Sequence, residues 1–272
     1  EEVQPLLQSH CFKCHGEKKQ KGDLRLDTLD PNIMNGSSAE EWHDVLNNIN
    51  LGEMPPENES QLSPSERRKL VGWLTKELQE AAQLATRRNL SRLETILSGW
   101  APEPDDKYKL LRSLTQNEFY YGKVAAINGN SPRNYEIELS FGLPTGVLKN
   151  DSLVRYAKLL DLPVGHRKGY KHHMRTMFEN LKIGDVLFVE VKSYDLESHS
   201  AVLELHKRPD ISGGLIALDK AEVRAVVSGF ETLGFNRAIQ AQRQPGSVFK
   251  TPTYLAALQL GWTMLDRINN DR

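Results

Sequence analysis

The sequence predicts a multidomain chain that is all-α over its first 83 residues, mainly β in the middle and α+β at its end. Three observations predict it. Up to Leu78 the apolar residues recur with a helical period and two stretches carry helix-start chemistry. From Phe119 the period changes to two. Between these regions, Trp100-Ala101-Pro102-Glu103-Pro104 reads as a linker. A chain of 272 residues has room for more than one core. Its 35 Lys+Arg against 36 Asp+Glu give no electrostatic case for nucleic acid or an anionic membrane. Residues 1 to 100 hold 12 basic against 16 acidic side chains and the rest hold 23 against 20, an asymmetry too small to name a partner. No apolar run has the length of a membrane span. The chain opens at Glu1 rather than a methionine, so removal of an upstream segment is expected.

Cys11-Phe12-Lys13-Cys14-His15 organises the first part. Two residues between the cysteines place both sulfurs on one turn of backbone, and the next histidine points from the same side. This is the spacing for covalent c-type haem, with the thiols on the vinyl groups and the imidazole on iron. A thioredoxin-like redox pair would want a βαβ setting, which the sequence lacks. A zinc site of two cysteines and two histidines would want a histidine pair at short spacing, and His43 has no such companion. Inert thiols are the remaining alternative.

Val3, Leu6 and Leu7 form a short helical face that delivers the motif, and Lys18 to Lys21 reads as a solvated turn. Asp23-Leu24-Arg25-Leu26-Asp27 alternates like a short extended segment. Ser38-x-x-Glu41 reads as a capping box for a helix whose Trp42, Val45, Leu46 and Ile49 share a face. In Leu51-Gly52-Glu53-Met54-Pro55-Pro56, Met54 offers a soft thioether from a stiff loop as second axial ligand, against a core gap-filling role. His43 is its competitor, and His10 reads as a surface or supporting residue. Ser63-Pro64-Ser65-Glu66 starts a closing helix that buries Leu70, Val71, Leu74 and Leu78, with Trp73 widening the face.

These motifs, from Cys11-Phe12-Lys13-Cys14-His15-Gly16 through Lys21 to Asp27 and Leu51 to Pro56, together resemble the planctomycete-type cytochrome c domain over residues 1–83. The resemblance implies an all-α haem domain and an electron-transfer module. Haem c would be held by Cys11 and Cys14, with His15 and Met54 on iron. Its redox partner is unknown, and its location is periplasmic or cell-envelope.

Residues 84–114 read as a helical linker, weakly amphipathic from Arg87 to Leu97. Phe119 to Ile127, Tyr135 to Phe141, Val186 to Val191 and Ala201 to Leu205 read as strands, with turns at Asn128-Gly129-Asn130 and Ile183-Gly184-Asp185. A small antiparallel OB-like barrel over residues 115–208 would use them. His166, His172 and His173 fall in a basic insertion, read as a solvated loop rather than a metal or phosphate site. Tyr120, Tyr121, Tyr135 and Phe141 could stack on single-stranded nucleic acid, but strand aromatics are more often core, and no nucleic-acid partner is expected.

Leu215 to Asp219 and Val223 to Gly229 read as a hairpin buried on at least one face, followed by Arg243-Gln244-Pro245-Gly246-Ser247-Val248-Phe249-Lys250 and a helix with Tyr254, Leu255 and Leu258. This stretch resembles the start of the transpeptidase domain of class A penicillin-binding proteins, and the barrel before it resembles their OB-like insertion. The turn Asp219-Lys220-Ala221-Glu222 is shorter than the family's and lacks its glycine. The resemblance makes residues 209–272 a transpeptidase fragment. Ser247 would be nucleophile and Lys250 its base toward a peptidoglycan stem peptide, in the manner of a D-Ala-D-Ala transpeptidase. Neither Ser-x-Asn nor Lys-Thr-Gly occurs, so an electron carrier rather than an enzyme is expected. The apolar faces after Gly229 are expected to lack a full core and to be cut by protease before residues 1–83.

Overall fold

The computed structural model describes residues 3–35, 38–162, 168–219, 222–231, 235–242, 246–263 and 265–267. They form a mixed helix and sheet structure in two compact units, the first reaching Ala238 and the second starting at Ile239.

Helix α1 (Gln4–His10) has Pro5 in its first turn, where a missing N–H costs nothing, and buries Leu7. It leads into the cysteine motif, where the amides of Cys14 and His15 both donate to the Cys11 carbonyl (3.1 and 2.9 Å). A two-residue antiparallel pair follows, β1 (His15–Gly16) with β2 (Lys19–Gln20), so the first part is not purely helical as expected. Gly16 is needed for this turn, because a Cβ there would run into the Phe12 carbonyl oxygen. In the expected extended segment Asp23 closes a 3-10 turn (Lys21–Asp23), Leu24 is extended without joining a strand, and Leu26 is buried.

Helix α2 (Ala39–Leu51) buries the predicted face of Trp42, Val45, Leu46 and Ile49. Its capping box does not form. Ser38 Oγ instead donates to the Asp30 carbonyl (2.8 Å), which also accepts from Trp42 Nε1 (2.7 Å), so the preceding loop takes the hydroxyl. The second box does form at the start of α3 (Pro64–Ser98): Ser63 N donates to Glu66 Oε2 (2.8 Å) and Glu66 N to Ser63 Oγ (3.3 Å). Leu70 and Leu74 of α3 are fully buried against the first core, and Trp73 meets Trp42 edge-on at 5.2 Å. One helix therefore runs 35 residues, past residue 83 and into the expected helical linker, which is α-helical only as far as Ser98.

Strands β3 (Phe119–Asn128), β4 (Glu136–Ser140), β5 (Thr145–Leu148), β6 (Val186–Asp195) and β7 (Ser200–His206) close a barrel in the order β3-β4-β5-β7-β6. The expected all-antiparallel arrangement is corrected by β5, an unpredicted strand that pairs parallel with β7. Parallel neighbours need a crossover. Here it includes α4 (Asn150–Leu160), α5 (Tyr170–Asn180) and β6. The expected solvated loop is thus in part a helix: His172 and His173 belong to α5, with His173 Nε2 3.4 Å from Asp161 Oδ1, while His166 lies outside the described residues. Leu153, Tyr156, Met174 and Met177 turn the two helices into the barrel core. Phe141 is fully buried, Tyr120 meets it edge-on, and Tyr135 stacks on Phe178 at 3.5 Å, so these rings are spent on packing.

Strand β6 is buried on both faces from Val186 to Val191, which its apolar run Val186 to Val189 signals. Leu187, Val189 and Val191 face the barrel core, and Phe188 packs with Leu90 of α3 and Phe230. Between Val189 and Val191 sits Glu190, with no exposed surface. Arg88 of α3 gives it two bonds (3.0 and 2.5 Å), Lys192 Nζ a third (3.0 Å), and His206 Nε2 approaches to 3.2 Å, off the direction of a hydrogen bond. Burial alone would push this carboxyl up; the approach of His206 and the bonds from Arg88 outweigh it and hold the group at about 2.

The hairpin β8 (Leu215–Asp219) and β9 (Glu222–Val227) docks on α3, and its predicted turn residues Lys220 and Ala221 lie outside the described residues. Gln79 donates to the Val226 carbonyl (2.8 Å) and accepts its amide (3.0 Å), capping the strand edge. Ala225 and Val227 are buried, whereas Leu218 and Val223 are exposed. The short helix α6 (Arg237–Gln240) spans the boundary between the units. The second unit holds a 3-10 turn (Gly246–Phe249) and α7 (Lys250–Gln259), whose Tyr254, Leu255 and Leu258 are exposed. Among the described residues no helix is long and apolar enough to cross a membrane.

Because the folded pKa of Glu190 lies below its unfolded value, its stabilisation is present above the unfolded pKa and fades as pH falls toward about 2. Glu190→Gln should cost about 2–3 kcal/mol in urea unfolding at pH 7. It should also make the loss of stability between about pH 5 and 2 shallower than in the parent. Parallel acid limbs for the two proteins would contradict the assignment.

Candidate functional site

One cavity of about 230 Å³ in the first part is lined by Cys11, Cys14, His15 and Met54. Leu24, Leu26, Val45, Ile49 and Leu62 supply its apolar walls. Residues from α1, the turn after it, α2 and the loop following α2 thus meet in one place.

Met54 arrives there because α2 stops sharply. Gly52 takes a left-handed conformation (φ 75°), and the amides of Glu53 and Met54 fold back onto the Asn48 carbonyl (2.9 and 3.2 Å). The loop beyond is clamped from three sides. Gln61 Nε2 donates to the carbonyls of Pro55, Pro56 and Glu59 (3.2, 2.7 and 3.0 Å). Lys13 Nζ, inside the cysteine motif, reaches Glu59 Oε2 (2.7 Å). His10 pairs its Nδ1 with the Ser60 carbonyl at 3.1 Å and lies 3.7 Å from Glu66. The expected supporting role of His10 therefore has a partner. Gln61 and Glu59 carried no sequence signal, since a glutamine that collects carbonyls looks like any polar loop residue.

The thiols and the imidazole fit a covalently held metal group better than a redox pair. Burial, then the neighbouring charge of Cys14, pushes the Cys11 thiol up to about 11, so it is a neutral thiol near pH 7 and a poor exchange nucleophile. His15 has a buried Nδ1 with no hydrogen-bond partner among the described residues. His15 also lines the cavity, so its imidazole is placed where a bound metal group could meet it. His43, the competitor for the second ligand position, does not line the cavity and lies 3.7 Å from Asp44.

The second predicted pair is placed differently. Ser247 sits in the 3-10 turn just before α7 and Lys250 is the first residue of α7; both are exposed, as the helical spacing of three allows. Arg243, Gln244 and Pro245 lie outside the described residues.

Comparison with known proteins finds two likenesses. Residues 11–58 match the family model described as Planctomycete cytochrome C, which implies a haem-type cofactor there. The chain is also 29% identical over 178 residues to penicillin-binding protein 1A of Neisseria flavescens, covering 60% of this chain and 22% of that protein. It is 35% identical over 97 residues to penicillin-binding protein 1A of Aquifex aeolicus (32% of this chain, 13% of the relative). With the Neisseria gonorrhoeae protein of that name it shares 46% over 68 residues (24% and 8%). The chain thus spans under a quarter of the length of these curated relatives.

The raised Cys11 thiol gives a direct test in haem-free protein. At pH 8 Cys11 should react with iodoacetamide roughly 100-fold more slowly than an unperturbed cysteine, reflecting its smaller thiolate fraction. Peptide mapping of the alkylated sites reads this out. Reaction at the ordinary rate would show an exposed, unperturbed thiol.

Proposed function

We propose that residues 1–83 form a haem c electron-transfer module, fused to a penicillin-binding-protein-like region in an exported, cell-envelope protein. The observation that carries this reading is the single apolar cavity shared by Cys11, Cys14, His15 and Met54. Cys11 and Cys14 would hold the haem covalently, and His15 and Met54 would take the axial positions on its iron. Bound there, the haem supplies reversible one-electron transfer. The chain's own residues provide the surroundings. Leu26, Val45 and Ile49 keep water from the site, and the Gln61 and Lys13–Glu59 contacts hold the Met54 loop in place without the cofactor. The remaining layout is a helical connection over 84–114, an OB-like barrel over 115–208 and a transpeptidase-like fragment over 209–272.

Expression with haem-attachment machinery should give protein whose haem survives denaturation, and Cys11→Ser with Cys14→Ser should abolish retention. Met54→Ala should keep the covalent haem but change the ferric visible spectrum. Absence of covalent haem in the parent would reject the module, and an unchanged Met54→Ala spectrum would reject the methionine alone.

The likeness to penicillin-binding protein 1A favours a second reading, that Ser247 and Lys250 belong to a D-Ala-D-Ala transpeptidase acting on a peptidoglycan stem peptide. Residues 1–272 carry neither Ser-x-Asn nor Lys-Thr-Gly, which shuttle the proton and bind the substrate carboxylate in that chemistry. Fluorescent penicillin should therefore leave this chain unlabelled. A labelled band that disappears in Ser247→Ala would make the second reading the right one.

A further inference from the structure

A second groove, of about 430 Å³, lies between the later turns of α3, helix α4 and strands β6 and β7. Arg88, Arg92, Arg155 and Lys158 line it against Glu190 and Glu204. The carboxylates are already matched. Glu190 takes two bonds from Arg88 and one from Lys192, and Glu204 takes Arg155 Nε at 2.8 Å with Lys192 Nζ at 3.7 Å. Arg92 has no ion pair among the described residues, and Lys158 meets only the face of Tyr170, 5.9 Å from its centre. Five cations therefore share two carboxylates, an excess of three positive charges.

Two ligand types compete for such a place. Glu190, Glu204 and His206 each bring a donor atom within 4.8 Å of the others, which is the spacing of a metal site. The charge count rules against it. A divalent cation would have to displace Arg88 and Lys192 from Glu190 and would raise the local excess from three to five. A dianion would lower it to one, and it need displace nothing. The uncommitted groups also suit it: Arg92 reaches in from α3, Lys158 from α4, and the guanidinium of Arg155 keeps donors beyond its Nε. Planar guanidinium forks from two sides match the several oxygens of a phosphoryl group better than the two of a carboxylate. Leu159 and Leu205 add apolar wall for whatever the phosphate is attached to.

We propose that this groove binds a phosphate-bearing ligand through Arg92, Arg155 and Lys158, with Arg88 and Lys192 holding the buried carboxylate of Glu190 out of its way. The phosphate could belong to a soluble ester or to a lipid headgroup, and the chemistry of recognition is the same for both.

The test uses the full chain and two probes, inorganic pyrophosphate by titration calorimetry and sedimentation with phosphatidylglycerol vesicles against phosphatidylcholine vesicles. The variant is Arg92→Ala with Lys158→Ala, which breaks no ion pair among the described residues and should leave the ligand-free melting temperature unchanged. Pyrophosphate should bind the parent, weaken with added salt, and bind the variant at least about tenfold more weakly. Binding to phosphatidylglycerol vesicles that is lost in the variant would also support the site and identify a lipid source. Failure of the parent to bind either probe, or equal binding by parent and variant, would overturn the proposal.

Discussion

A carboxylate with no exposed surface is tolerated on the outside of a barrel only if something carries its charge, and for Glu190 that is Arg88, reaching from α3. The bond pair sets more than a local balance. Two turns of the same helix are committed to this contact: Arg88 on Glu190, Ser91 between His206 Nδ1 and the Lys207 amide, and Glu94 accepting the amides of Asp210 and Ile211. Apolar contacts alone would let a helix slide by a fraction of a turn at little cost. These bonds are directional, so they fix where along the helix the barrel sits. Upstream, Gln79 and Gln83 hold the β9 hairpin, and Leu70 and Leu74 close the first core. The helix is thus the element shared by every part of the first unit.

That sharing explains why its length was hard to read. The first four turns of α3 show an apolar stripe and a capping box, both plain in the sequence. Further on, the buried positions include Ser91, Glu94 and Thr95, which are polar and break the stripe a periodicity search relies on. The same obstacle hid α4 and α5. Lysines and histidines between Leu153 and Met177 read as a basic loop, although Leu153, Tyr156, Met174 and Met177 fall at helical spacing and are buried. Strand β5 was missed for a different reason: it has only four residues and contains Gly146. A Cβ at that position would come within 2.6 Å of Leu203, so the glycine marks a close approach between strands rather than a turn.

The candidate site was far more legible than the fold around it, because its chemistry depends on local spacing. Two cysteines and a histidine within five residues need no tertiary structure to be recognised, and a methionine between a glycine and two prolines already announces a fixed loop. What spacing could not show was convergence, that Met54 and the cysteine motif would line one cavity across some 40 residues of chain. Nor could it show that residues 11–58, which match one family, would be joined to the barrel by one unbroken helix. A flexible linker would have left the two parts to move independently. A helix bonded to both does not.

Two irregular segments are each held by a single side chain: Gln61 gathers three carbonyls of the Met54 loop, and Glu94 gathers two amides after the barrel together with the Ser98 hydroxyl. Ahead of α2 the roles reverse, and the Asp30 backbone carbonyl accepts from the Ser38 and Trp42 side chains. Loops outside helices and strands must satisfy their polar groups somehow, and water is excluded where they cover a cavity. Losing one such collector leaves several groups unmet at once, each worth about 1–3 kcal/mol where it is buried. In the loop of Met54 these bonds are exposed or part-buried, and with the Lys13–Glu59 pair they tie down the chain that carries Met54 to the cavity it shares with the cysteine motif.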